Sequence, residues 1–310
     1  MSIAFVFPGQ GSQSVGMLAS LEADATLRAT FAEASAVLGY DLWALTQAGP
    51  AERLNATECT QPAMLTAGVA LWRVWQARGG VEAALVAGHS LGEFTALVCA
   101  GAIEFRAAVD LVRQRGQLMQ AAVPEGTGAM AAILGLEDEQ VREACRRASG
   151  TGTVEAVNFN SPGQVVIAGT SAAVTAAIET ARELGAKRAL LLPVSVPAHS
   201  SLMQPAAVRF AQLLARLTLS APRLTYVSAV DAAIHREPED IRALLGRQLA
   251  LPVLWQDTVR ALIAQGAARI LECGPGKVLT GMNKRIERRP ELQYAALEDA
   301  ASIDAEVSHA

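Results

Sequence analysis

The stretch "AALVAGHSLGEFTALVCAG", residues 83–101, is compatible with very few backbones. It opens with a short apolar run suited to a strand buried on both faces and closes with a segment of helical apolar period. Between the two, Gly88, Ser90 and Gly92 satisfy Gly-x-Ser-x-Gly. A strand that turns sharply into a helix with a serine at the turn is a nucleophile elbow. The flanking glycines clear space, the hydroxyl is presented at the tip, and the N–H after the serine faces outward at a helix N-terminus. The alternation of short apolar runs with longer segments of helical period along the chain predicts an α/β fold with a largely parallel sheet, the context such a unit needs.

Elsewhere short apolar runs alternate with longer helical segments. Residues 3–7 predict the first strand, and 60–77 a helix with Thr60 as its cap and Pro62 in its first turn. Helices are also predicted over 105–122 and from about 201, with a strand over 268–273. The middle is different. Residues 127–195 read strand "GAMAAILG", helix "LEDEQVREACRRA", strands "TVEAVNFN" and "QVVIAG", helix "SAAVTAAIETARELG" and strand "KRALLLPV". This β-α-β-β-α-β order is ferredoxin-like. A small domain, 126–196, inserted into a discontinuous large one, 1–125 and 197–310, is therefore expected, with substrate in the cleft between them. The final stretch "LEDAASIDAEVSHA" shows no convincing period and is expected to be a loose tail.

Composition narrows the function. A formal net charge of -4 provides no basic field for a nucleic-acid backbone. Cys59, Cys99, Cys145 and Cys273 lack CxxC or metal-ligand spacing and read as reduced thiols. No leader-like segment precedes "IAFVF", and no apolar run is long enough to span a bilayer, so a soluble, cytoplasmic monomer is expected. Two glycine loops fail as nucleotide sites. In "GQGSQSVG" the third glycine of a dinucleotide fingerprint falls on Ser14, and in "GPGKVLTG" Val278 stands where a phosphate loop needs Ser or Thr. Both predict turns in which a backbone comes close to another group.

Ser90 needs a general base within hydrogen-bond reach. Adjacent residues on a tight turn project to different sides, so His89 is expected to point away from it. His309 falls in the expected tail, and His235 in the charged stretch "HREPED", which reads as an exposed loop. His199 remains, in "LPVSVPAHSSLM". On the predicted helix over 105–122, the residues three, four and seven places from Arg115 are Val112, Leu111, Ala108, Leu118, Met119 and Ala122. Arg115 therefore lies in the buried stripe and Arg113 on the solvated face. An unpaired buried charge costs on the order of 3–5 kcal/mol, so an anion should meet Arg115. It is either a structural carboxylate or, beside a nucleophilic serine, the free acid of an acyl substrate.

The segments "FVFPGQGSQSVGML", "GHSLGE", "QRG", "NFNSPGQVVIAG", "PVSVPAHSSLM", "RQLALPVLW" and "GPGKVLTGMNKRI", in this order, resemble the malonyl-CoA:acyl carrier protein transacylases over almost the whole chain. The resemblance implies an α/β-hydrolase-like core with a ferredoxin-like insert and a ping-pong malonyl transfer without metal or redox cofactor. It makes Ser90 the acylated nucleophile, His199 its base and Arg115 the binder of the malonyl carboxylate. It assigns the oxyanion hole to the N–H groups of Gln10 and Leu91. It gives Gln248 the backbone carbonyl that orients the histidine, a role for which the residues alone would suggest Asp231. Relatives often carry asparagine where this chain has Ala229. Acyl carrier protein is acidic, so Lys187, Arg188, Lys284, Arg285, Arg288 and Arg289 are candidates for its dock. Two other classes share these features: a serine esterase or thioesterase using the same elbow, and a non-catalytic subunit that binds carrier protein or acyl-CoA.

Overall fold

The computed structural model describes residues 2–124, 126–194 and 196–309. Met1, Glu125, Ser195 and Ala310, which include a residue at each expected domain junction, lie outside the described residues. Among the described residues ten strands form two sheets: β1 (Ser2–Phe7), β2 (Leu85–Gly88), β3 (Gly128–Leu134), β4 (Val154–Ser161), β5 (Gln164–Thr170), β6 (Arg188–Leu191), β7 (Thr225–Val227), β8 (Ile234–His235), β9 (Ala267–Glu272) and β10 (Gln293–Ala296). The first sheet has the order β10-β9-β1-β2-β7-β8 and is parallel except for β8. The second has the antiparallel order β4-β5-β3-β6, with the helices Asp138–Ala148 and Ser171–Glu183 in its connections. The fold is mixed α/β, as the sequence predicts.

The pleat of β1 explains its uniformly apolar sequence. Ile3, Phe5 and Phe7 pack with Trp72 and Trp75 of the helix Thr57–Ala77 on one face, while Ala4 and Val6 meet Trp255, Val259 and Leu262 of the helix Trp255–Ala264 on the other. A strand covered on both sides has no polar position to spare. The smaller sheet carries a core of its own, with Ile133, Val165 and Ile167 against Val141, Val174 and Ile178.

Three sequence expectations need correction. The helix expected over 60–77 begins at Thr57, and Thr60 is not its cap. The Thr60 hydroxyl is buried and donates to the Leu54 carbonyl at 2.6 Å, and Pro62 lies inside the helix. The expected tail contains the helix Ala300–Ser308, capped by Asp299, whose side chain accepts from the Ser302 N–H at 2.7 Å. Ile303 of this helix is fully buried. His235 is not in an exposed loop either; it is half-buried in β8, 3.0 Å from Asp231.

Candidate active site

The register of the parallel sheet sets Phe7 opposite Gly88, so the chain leaves β1 and β2 side by side at one end. Crevices at the carboxyl ends of such strands are where ligands bind. After β2 the backbone reverses within two residues. Ser90 takes φ 53°, a left-handed conformation that a serine rarely adopts. A Cβ on Gly88 would sit 1.9 Å from the Gly92 carbonyl carbon, and one on Gly92 would sit 2.0 Å from the Phe7 carbonyl oxygen. Both glycines are therefore required by contact. The His89 N–H donates to Phe7 at 2.9 Å, holding the Pro8–Gly9–Gln10 loop against the elbow. From the other side Gly274 packs so closely on Pro8 that a Cβ there would lie 2.4 Å from its ring, the close approach expected of "GPGKVLTG". Among the described residues, neither Gln10 nor Leu91 donates its N–H within the protein.

Ser90 Oγ lies 2.7 Å from His199 Nε2, although the two residues are 109 positions apart. The opposite ring nitrogen, Nδ1, faces two backbone carbonyls, Gln248 O at 2.9 Å and Leu251 O at 3.1 Å. Carbonyls only accept, so Nδ1 carries the proton and Nε2 is left to accept from the Ser90 hydroxyl. His199 is itself held at φ 67°, with its N–H on the Leu249 carbonyl at 2.9 Å. Burial, with the nearby Arg115 charge, pulls its pKa down to about 3, so the ring is neutral across the physiological range. Asp231, the carboxylate suggested by sequence for orienting this ring, pairs with His235 instead.

Arg115 is 1% exposed on the helix Phe105–Gln120, which Glu104 caps through the N–H groups of Arg106 and Ala107. Its Nη2 donates to Ser90 Oγ at 3.2 Å and to Gln248 Oε1 at 2.8 Å, and its Nη1 donates to Gln61 Oε1 at 3.0 Å. The guanidinium also lies over the Phe94 ring, 5.4 Å from its centroid. Every one of these partners is neutral, and Nε has none. Among the described residues no carboxylate comes within ion-pair distance. Burial pulls the Arg115 pKa down to about 9, against the opposing influence of Glu93. Arg113, on the solvated face, pairs with Asp110 at 2.6 Å.

Glu93, Gln61 and Asn160 belong to this cluster and were not singled out by sequence. Glu93 is 1% exposed in the first turn of the helix Gly92–Cys99. Its Oε1 accepts from Gln248 Nε2 at 2.6 Å, and its Oε2 accepts from the Tyr226 hydroxyl, the Ser228 hydroxyl at 2.9 Å and the Ala229 N–H at 3.2 Å. Burial pushes its pKa up, and these four donors pull it back. Ala229 thus takes part through its backbone N–H. His89 turns its Nε2 to Asn160 Oδ1 at 2.9 Å and stacks near Trp255, so it is spent on holding β4 to the elbow. His309 closes the C-terminal helix, where its carbonyl accepts from Arg269. A surface cavity of about 350 Å³ beside Trp72, Trp75 and Arg223 shares no residue with the cluster. It lacks any paired nucleophile and base, so chemistry rather than concavity marks the site.

Among the described residues no helix is long and apolar enough to cross a membrane. The acyl transferase domain family matches residues 4–297. The malonyl CoA-acyl carrier protein transacylase of Escherichia coli K12 is 59% identical over 304 residues, covering 95% of this chain and 98% of its own. The acyl-carrier-protein S-malonyltransferase of Burkholderia pseudomallei 1710b superposes with a TM-score of 0.97 at 53% identity, over 99% of this chain and 100% of that one. A malonyl-transacylase solved in complex with its type II PKS acyl-carrier protein gives a TM-score of 0.98 at 52% identity, over the full length of both chains. On this evidence of sequence and fold, the chain belongs to the malonyl CoA-acyl carrier protein transacylases.

Proposed function

We propose that the protein moves a malonyl group from malonyl-CoA to the phosphopantetheine thiol of acyl carrier protein, in the cytoplasm, for fatty-acid synthesis. The observation that carries this reading is a single oxygen, Ser90 Oγ, held 2.7 Å from a neutral histidine and 3.2 Å from an arginine that, among the described residues, no carboxylate contacts. The first contact supplies a nucleophile and its base. The second selects the acyl group: a cation so near the reacting oxygen suits an acid whose free carboxylate lies one methylene from the thioester carbon.

In the proposed sequence His199 Nε2 takes the Ser90 proton as Oγ attacks the thioester carbonyl. The N–H groups of Gln10 and Leu91 receive the oxyanion, and the Gln248 carbonyl steadies the imidazolium. The C–S bond breaks, coenzyme A leaves with the proton from His199, and malonyl-Ser90 remains. The carrier-protein thiol then gives its proton to His199 and attacks the ester, and the Ser90 oxygen leaves with that proton. Arg115 holds the malonyl carboxylate throughout.

The domain division of the sequence analysis remains our reading, supported by the separate sheet and core of the smaller unit. It bears on the dock. Arg188 opposes Leu134 and Leu134 opposes Gln164 across β6, β3 and β5, while Arg285 Nη2 donates to Gln164 Oε1 at 2.7 Å. Lys187, Arg188, Lys284 and Arg285 therefore gather at one end of the small sheet. Ser161, which accepts from Arg285 Nε at 3.3 Å, directly follows the Asn160 that meets His89. This proximity supports the patch, with Arg288, as the acidic carrier's landing surface. Label from malonyl-CoA should appear on acyl carrier protein; release of free malonate at the same rate without carrier would identify a thioesterase instead.

A further inference from the structure

The cluster contains two buried charges of opposite sign that do not touch. Arg115 and Glu93 are each 1% exposed, and each is hydrogen-bonded to the same side chain, the equally buried Gln248 carboxamide. The orientation of that amide is fixed by chemistry. A guanidinium has only donors and a carboxylate only acceptors, so oxygen must face Arg115 and nitrogen must face Glu93. Gln248 Nε2 also donates to the Ser90 carbonyl at 2.9 Å, tying the amide to the strained turn. We infer that Glu93 is the counter-charge of Arg115, and that the Gln248 carboxamide is a neutral spacer that prevents their direct pairing and leaves the guanidinium open to an acyl carboxylate.

The inference rests on the reading of Arg115 as the binder of that carboxylate. A direct Arg115–Glu93 pair would satisfy both charges and leave nothing for substrate. With no acid nearby, the buried cation would face neutral groups alone. Holding the acid one amide away avoids both outcomes. The helix start at Gly92 and the donors from Tyr226, Ser228 and Ala229 fix Glu93 in place, so it cannot swing toward Arg115. Glu93 and the Gln248 side chain are thus positioning residues that act through Arg115.

The test compares malonyl-CoA with acetyl-CoA, which has no carboxylate, as donors to acyl carrier protein. Arg115→Ala sets the reference: it should lower the malonyl-to-acetyl ratio of kcat/KM at least tenfold. Glu93→Gln keeps size and shape but removes the counter-charge and sets two amide nitrogens face to face. It should lower the same ratio at least fivefold, mainly through KM for malonyl-CoA. If Glu93→Gln does not fold, the exchanged pair Glu93→Gln with Gln248→Glu decides. It retains both groups but seats a carboxylate directly on Arg115, and should lower the ratio as far as Arg115→Ala does. Equal losses for both donors in Glu93→Gln, or a preserved ratio in the exchanged pair, would overturn the inference while leaving Arg115 as the carboxylate binder. A preserved ratio in Arg115→Ala would instead overturn the reading on which it rests.

Discussion

Two arginines are sunk into this protein, and they are treated in opposite ways. Arg269, 7% exposed on β9, donates to the Glu306 carboxylate at 2.7 Å and to the carbonyls of Glu306 and His309 at the C-terminal end of the helix Ala300–Ser308. A cation is favoured at a helix C-terminus, so this charge is met within the chain, although its Nε, like that of Arg115, has no partner among the described residues. Arg115 is more deeply buried, and among the described residues its side-chain hydrogen bonds go only to the neutral groups Gln61, Gln248, Met119 and Ser90. The first arginine latches a terminal helix onto the sheet. The second holds a charge that, among the described residues, no carboxylate contacts, 3.2 Å from the Ser90 hydroxyl. An arginine's burial therefore says little about its role; the sign of what touches it says much more.

The largest expected effect isolates the chemistry beside Arg115. His199→Ala should cut malonyl transfer by about 10²- to 10⁴-fold, the usual contribution of a general base, measured as label reaching carrier protein. Arg115→Ala should lower the malonyl-to-acetyl preference by roughly 10- to 100-fold, as expected for losing hydrogen bonds to a charged group. Arg269→Ala should leave that preference unchanged, and a change there would erase the contrast between the two sites. A pH profile sharpens it further. Burial lowers the Arg115 pKa with no ion pair to restore it, so any loss of its charge, and with it a fall in kcat/KM for malonyl-CoA, should come at the alkaline end of the profile. The acetyl-CoA profile should lack that limb. Glu306→Ala, removing the partly exposed partner of Arg269, should cost about 1–3 kcal/mol in urea unfolding and leave transfer kinetics intact. Smallest of all, Lys284→Glu or Arg285→Glu should raise KM for carrier protein severalfold, an effect that shrinks as salt is added.

Features encoded locally were legible before the structure. The elbow at Ser90 needs only two glycines, a strand and a helix, all within a few residues. Arg115 stood out because a helix repeats its faces every three to four residues. The same argument would have found Glu93, whose neighbours at three, four and seven places onward are Ala96, Leu97 and Ala100, all buried. The C-terminal helix, expected as a loose tail, leaves signals of the same local kind: Asp299 and Ser302 as a capping pair, and Ile303 and Val307 one turn apart. Other features left no periodic trace. Gln248 sits in a short 3-10 turn, Gln248–Ala250, where no face repeats, and only the family resemblance pointed to its carbonyl. Asn160 lies on β4, whose register shifts between Ala156 and Asn158 and again between Phe159 and Ser161, so strict alternation fails there. His199 was reached by elimination, and its orienting carbonyls could not have been, since backbone groups are the same at every residue.

The account turns on Ser90 carrying the malonyl group between two thiols. Intact mass measurement of the protein mixed with malonyl-CoA tests this most directly. The expected result is a malonyl adduct that Ser90→Ala lacks and that disappears, with matching gain on the carrier, when acyl carrier protein is added. An adduct that persists in Ser90→Ala, or one that decays into water at the same rate with or without the carrier, would contradict it.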